Sequence, residues 1–296
     1  MIDALQYEFL RNAALAGLLA SVLCGVVGPF VVLQRLVFLS GGVAHAALAG
    51  LGLFYLLGWQ PRWGAVLVAA LSAVLLWRSG TERAASRDAT IGVLWAVGMA
   101  LGFVFLQRSP GYAPDLLGYL FGDILTVTPG DLVVLLVATV LAVLFVTLLR
   151  RPLVALAYDE EHARIRGVPV GALSLAHMLL ISLTVVLLIQ VVGVVLVLAL
   201  LTLPTLISLP FSRSVGGLAI GATTSAIAMT LGGLAASYRW DLPAGSTVVL
   251  LGALGLLSSL AVERARRRPA AGRRSLAKEA GPQEPVAAAS YEEDRR

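Results

Sequence analysis

The apolar residues of this chain fall in long blocks separated by short polar breaks. Blocks run over 12–33, 41–58, 63–77, 89–106, 131–149, 171–190, 192–210, 216–236 and 245–262. Between 173 and 209 only His177 can carry a charge. One bilayer crossing takes about 20 apolar residues, so that stretch alone is nearly two crossings. Backbone groups in lipid need partners within their own segment, so each block is predicted to be a helix. Nine blocks predict nine spans, and the shortness of 63–77 leaves eight open. The predicted fold is an all-α polytopic membrane bundle over residues 1–262, with a tail over 263–296.

The polar breaks set the orientation, because cytoplasmic loops collect arginine and lysine. Arg78, Arg83 and Arg87 lie in one break, Arg150, Arg151, Arg164 and Arg166 in another, and Arg264, Arg266, Arg267 and Arg268 follow the last block. These three regions are predicted to be cytoplasmic. Segments 107–130 and 237–244 hold one arginine each and are predicted to lie outside. Nine spans would put the N-terminus outside, and Arg11 alone argues little either way. The first block has no basic head and no Ala-x-Ala exit, so it reads as a retained helix. The tail is rich in Arg, Ala, Glu and Pro and is predicted to stay unfolded, with a basic start suited to anionic lipid.

Composition agrees and removes some functions. Apolar residues make up 58% of the 296 and charged residues 13%, where a soluble domain carries about 25% charged. Lys278 is the sole lysine and is followed by Glu279. A Gly-Lys-Ser/Thr phosphate loop is therefore absent, and the chain is not expected to bind ATP by one. Cys24 is the sole cysteine and reads as a small buried hydrophobe.

Two polar stretches carry punctuation of their own. In "AYDEEHARIRGVPVGAL" (157–173), Asp159 suits an N-cap and Glu160 and Glu161 the first turn, where a helix dipole favours acid. Gly167 suits the residue after a helix end, and Pro169 prevents continuation. A capped helix of about two turns is predicted, either as an ordinary surface loop or as a docking element for a soluble partner. The stretch "PDLLGYLFGDILTVTPGDL" (114–132) is too broken for a span and too apolar for a free loop, which predicts a re-entrant or interfacial segment. Thr128, Pro129 and Asp131 then read as N-cap, first residue and capping acid of the next helix. Asp123 is either a turn former or a carboxylate that meets a cation at the outer mouth.

His45 is the candidate for chemistry. It sits in "GGVAHAALAGLG" (41–52), with Gly42, Ala46 and Gly50 at four-residue spacing beside it. Small residues at that spacing let helices approach closely, so His45 is predicted to face a packed bundle or a cavity. An ionisable group there is a functional candidate, and neutral imidazole is a ligand for borderline metals such as zinc. A histidine merely bonded to a neighbouring helix is the structural alternative. His177 is similar in kind without the small-residue face, and His162 reads as solvated. No His-Glu-x-x-His occurs, which argues against a metalloprotease. A permanent structural zinc site wants four clustered ligands; sparse ligands suit a site that must release its ion.

Five stretches, in order, resemble the membrane permeases of the ABC-3 family of metal-ion importers. They are "SGGVAHAALAGLGLFYLLG" (40–58), "LLGYLFGDILTVTPGDL" (116–132), "YDEEHARIRGVPV" (158–170), "VVGVVLVLALLTLPT" (191–205) and "DLPAGSTVVLLGAL" (241–254). The resemblance implies half of a homodimeric pore in a bacterial or archaeal cytoplasmic membrane, in contact with lipid and not with nucleic acid. It also implies separate ATP-binding cassette subunits and an extracytoplasmic metal-binding protein. The chain would then be no enzyme itself and would hold no permanent cofactor. On the resemblance, His45 and Asp123 are expected on the metal path and His177 near it. Asp159, Glu160, Glu161, Ala163 and Gly167 are expected in the ATPase-coupling loop. Many members carry Asp four residues before this histidine, where this chain has Gly41. The glycine version implies zinc rather than manganese or iron. A proton-coupled carrier working alone is the rival from another class, but it would need ionisable relays that the spans nearly lack.

Overall fold

The structure is a computed structural model, and it describes residues 7–79, 84–109 and 124–279, with side chains described except at 84–87 and 267–279. Among these residues there is no strand. The helices are α1 (Glu8–Leu33), α2 (Val37–Leu56), α3 (Pro61–Arg78), α4 (Ala84–Arg108), α5 (Pro129–Leu148), α6 (Arg150–Tyr158), α7 (Glu160–Ile165), α8 (Val170–Val192), α9 (Val194–Ser208), α10 (Val215–Trp240) and α11 (Ala244–Glu279). Eight of them are long and apolar enough to cross a membrane. The exception among the long ones is α3, whose apolar middle is diluted by Arg62 and Arg78 at its ends.

Packing decides whether α3 crosses. Helices α2 and α4 run parallel, because Gly42 meets Ile91, Ala46 meets Gly98 and Gly52 meets Gly102 and Phe105. The chain must therefore return between them. It does so through α3, which packs antiparallel on α2 with Gly64 against Gly50. A Cβ on Gly50 would stand 2.0 Å from the Gly64 carbonyl oxygen, so glycine is what permits this crossing. Eighteen residues rise about 27 Å, close to the hydrocarbon thickness. Among the described residues, nine helices thus traverse the bundle.

Helix α1 lies at the centre. It runs parallel to α5, with Asn12 Nδ2 donating to the Val127 carbonyl and Thr139 Oγ1 to that of Leu19. It runs antiparallel to α10, where Ser21 Oγ donates to Thr230 Oγ1 at 3.0 Å and Gly25 sits against Thr223. Gly28 lies against the Leu201 carbonyl of α9. Helices α8 and α9 are joined through Gly193 alone, whose φ of +80° turns the chain without a loop.

Alternation of the nine crossings brings Arg35, Arg78, Arg150, Arg151, Arg213, Arg264 and Arg266 to one end. The contacts agree: Arg150 lies against Gly216, and the Arg266 guanidinium stands 5.1 Å over the Phe211 ring. This is the cytoplasmic end by the arginine rule. Exposed Tyr7, Trp59, Trp63, Tyr238 and Trp240 collect at the other end, as an interfacial aromatic girdle does. Helix α11 spans Ala244–Glu279 and so continues past 263, with Pro269 and Gly272 inside it.

Candidate permeation site

The small residues around His45 do what their spacing predicts. Gly42 and Ala46 seat α2 on α4, and Gly50 seats it on α3. His45 stands between these contacts, half-buried, eight residues from Val37 and so about 12 Å from the cytoplasmic end of α2. Its ring is stacked on the indole of Trp95 in α4, with centroids 4.4 Å apart and planes 9° apart. The Trp95 indole N–H donates to the sulfur of Met99, one turn on, at 3.2 Å. Among the described residues no three His, Cys, Asp or Glu side chains converge.

His177 lies in the wall between α1 and α8. It is 1% exposed, meets Phe30 edge-on at 5.6 Å, and its Nε2 has no hydrogen-bond partner. Phe30 belongs to a small apolar cluster with Val146, Leu153 and Leu173 at the cytoplasmic end. His177 is therefore walled off by apolar side chains, unlike His45, which reaches the bundle's edge beside Trp95.

Asp123 lies outside the described residues. The chain immediately after it enters the bundle. Ile124, opening a single 3-10 turn over Ile124–Thr126, is buried and reaches the level of Gly17. Gly17 is nine residues below Glu8, about 13 Å of helix rise. Ile124–Thr126 thus lies inside the bundle, while the rest of the stretch expected to be re-entrant, 114–123, lies outside the described residues. The chain rises again through Thr128, whose hydroxyl accepts from the Asp131 amide while the Asp131 carboxylate accepts from the Thr128 amide. This is a complete capping box.

The cytoplasmic punctuation is also present. Asp159 Oδ1 accepts from the His162 amide at 2.9 Å, and Glu160 pairs with Arg164 at 3.2 Å. Gly167, at φ +77°, donates to the Arg164 carbonyl and Val168 to that of Ala163, which closes α7 as a Schellman motif. The five residues expected there divide by role. Asp159 and Gly167 shape the helix, Ala163 is fully buried and seats it on the bundle, Glu160 is held in its ion pair, and Glu161 is exposed. Ile165 and Tyr158 are 79% and 72% exposed. Preceding it is α6, which the sequence reading leaves inside a loop. Its signal is present in the sequence: Leu149, Leu153 and Leu156 recur at helical spacing on one face, and Leu153 locks into the Phe30 cluster.

The ABC-3 family, described as "ABC 3 transport family", matches residues 6–263. The chain belongs to the ABC-3 family. It is 39% identical over 264 residues to an uncharacterised membrane protein of Synechocystis, covering 89% of this chain and 94% of that one. It is 30% identical over 247 residues to a manganese transport system membrane protein of Halalkalibacterium halodurans, with 83% and 85% covered. Among solved structures it superposes on PsaBC from Streptococcus pneumoniae in complex with Fab, at TM-score 0.77 and 27% identity, over 87% of this chain and 93% of that one. The family match over residues 6–263 reaches from α1 into α11 and includes the α6–α7 elbow. The protein is a transport permease of that family.

Proposed function

We propose that this ABC-3 protein is the permease of an ATP-driven importer of a divalent transition metal, and that the metal is zinc. Two copies would line one pore, with separate ATPase subunits below and an extracytoplasmic metal-binding protein above. The observation that carries the reading is His45: an imidazole on the glycine-packed face of α2, reaching the edge of the bundle where a second copy can meet it. One imidazole per copy holds an ion weakly enough to release it, which conduction requires. The relative named for manganese supports a metal as the substrate class. Gly41, in place of the family's frequent aspartate, favours zinc, since carboxylate suits manganese and imidazole suits zinc.

The exposed edge of α7 supports the ATPase contact. A six-residue helix capped at both ends is a rigid handle, and Ile165 and Tyr158 stand out from it into water. Only neutral imidazole coordinates a metal, so uptake is expected to weaken in acid. The deciding experiment is metal-stimulated ATPase activity of the reconstituted complex. Wild type should respond to zinc, and His45→Ala should lose that response. Equal stimulation of both by zinc, manganese and iron would remove His45 from the path.

A further inference from the structure

The Trp95–His45 stack has a geometry that the transport reading does not use. The indole lies parallel to the imidazole at 4.4 Å. The same indole also covers the preceding turn of α2, since a Cβ on Gly41 would stand 3.8 Å from Trp95 Cζ3. One aromatic plate therefore spans position 41 and His45 together. The plate is itself held by the bond from its N–H to Met99 Sδ.

Two consequences follow from how imidazole binds metal. Its lone pair lies in the ring plane, so a plate over the ring face fixes tilt and leaves the coordinating edge free. Groups that orient a ligand in this way commonly matter nearly as much as the ligand. The second consequence concerns oxygen. A carboxylate at position 41 is the helical neighbour best placed to share an ion with His45, and its Cβ would touch Trp95 Cζ3 at 3.8 Å, so the side chain would extend alongside the indole.

Resting on the reading of His45 as the ion's ligand, we propose that Trp95 is a positioning and specificity-determining residue. It holds the imidazole edge-on to the path, and with Gly41 it keeps a hard oxygen donor away, so the passage selects zinc over manganese. An aromatic wall provides no ligand of its own, and what remains is a nitrogen donor suited to borderline ions.

The test is uptake of radiolabelled zinc and manganese by cells carrying the complete transporter, at matched membrane levels of each variant. Trp95→Leu, which keeps an apolar side chain but removes the plate, should lower zinc uptake about tenfold, the usual scale for loss of an orienting group. Manganese uptake should change far less, so the zinc-to-manganese ratio falls. Trp95→Phe should restore most of the ratio. Gly41→Asp combined with Trp95→Leu should raise manganese uptake above wild type, and Gly41→Asp alone should do so less. A parallel fall of both metals in Trp95→Leu, or an unchanged ratio in every variant, overturns the proposal. Should Trp95→Leu fail to reach the membrane, the ratio in Trp95→Phe against Gly41→Asp decides alone. The two readings fail separately: His45→Ala with undiminished zinc uptake defeats the ligand assignment, while loss in His45→Ala with an unchanged ratio at Trp95 defeats only the specificity role.

Discussion

Two histidines within the spans have opposite surroundings, and their variants should separate accordingly. If His45 is the ligand as proposed, His45→Ala is expected to reduce zinc uptake by at least about tenfold, while leaving thermal stability in detergent nearly unchanged. His177→Leu should do the reverse. Its Nε2 is buried without a partner, and replacing an unsatisfied polar group by an apolar one is near neutral or stabilising by about 1 kcal/mol. Melting in detergent and zinc uptake measured side by side check both; a transport defect in His177→Leu with normal melting would bring that residue back onto the path. His45 could be singled out from the sequence because its neighbours at four-residue spacing are small. Trp95 could not, because nothing in a single sequence fixes the rotation of α4 against α2. That rotation is set by Gly98 and Gly102 meeting Ala46 and Leu48, fifty residues away in the chain.

At the scale of elements, close helix crossings and end caps should dominate the response to substitution. Gly50→Ala places a Cβ on the Gly64 backbone and is expected to cost about 1–3 kcal/mol, as overpacking does. Gly92→Ala, where nothing lies within 4 Å, should be silent; chemical denaturation of the purified protein distinguishes them. Asp159→Ala removes the cap of α7, worth about 1 kcal/mol of helix stability. On the proposed function, it should weaken co-purification of the ATPase subunits while metal binding by the extracytoplasmic partner is unaffected. The caps were legible because their rules are local: Asp159, Gly167, Thr128 and Asp131 each act within four residues. Helix α6 is missed although its apolar residues recur at helical spacing, because it is nine residues long and follows α5 with only Leu149 between.

For the whole molecule, the number of crossings is the testable quantity. Nine place Tyr7 and the arginines Arg264 and Arg266 of α11 on opposite sides of the membrane, and eight would place them together. In a Cys24→Ser background, Tyr7→Cys should react with a membrane-impermeant maleimide from outside intact cells, and Ser214→Cys only after the membrane is opened. Labelling of both from one side would refute the nine-crossing topology. Hydropathy alone leaves this open because the third apolar block, 63–77, is short; the parallel run of α2 and α4 argues for nine. Most of the bundle is shielded by lipid, but the α6–α7 elbow is not. Its Ile165 and Tyr158 are bare apolar groups in water, adhesive spots with no bilayer to cover them. Produced alone, the permease is therefore expected to clump through its inner face during purification, and Ile165→Lys should keep it monodisperse on a sizing column.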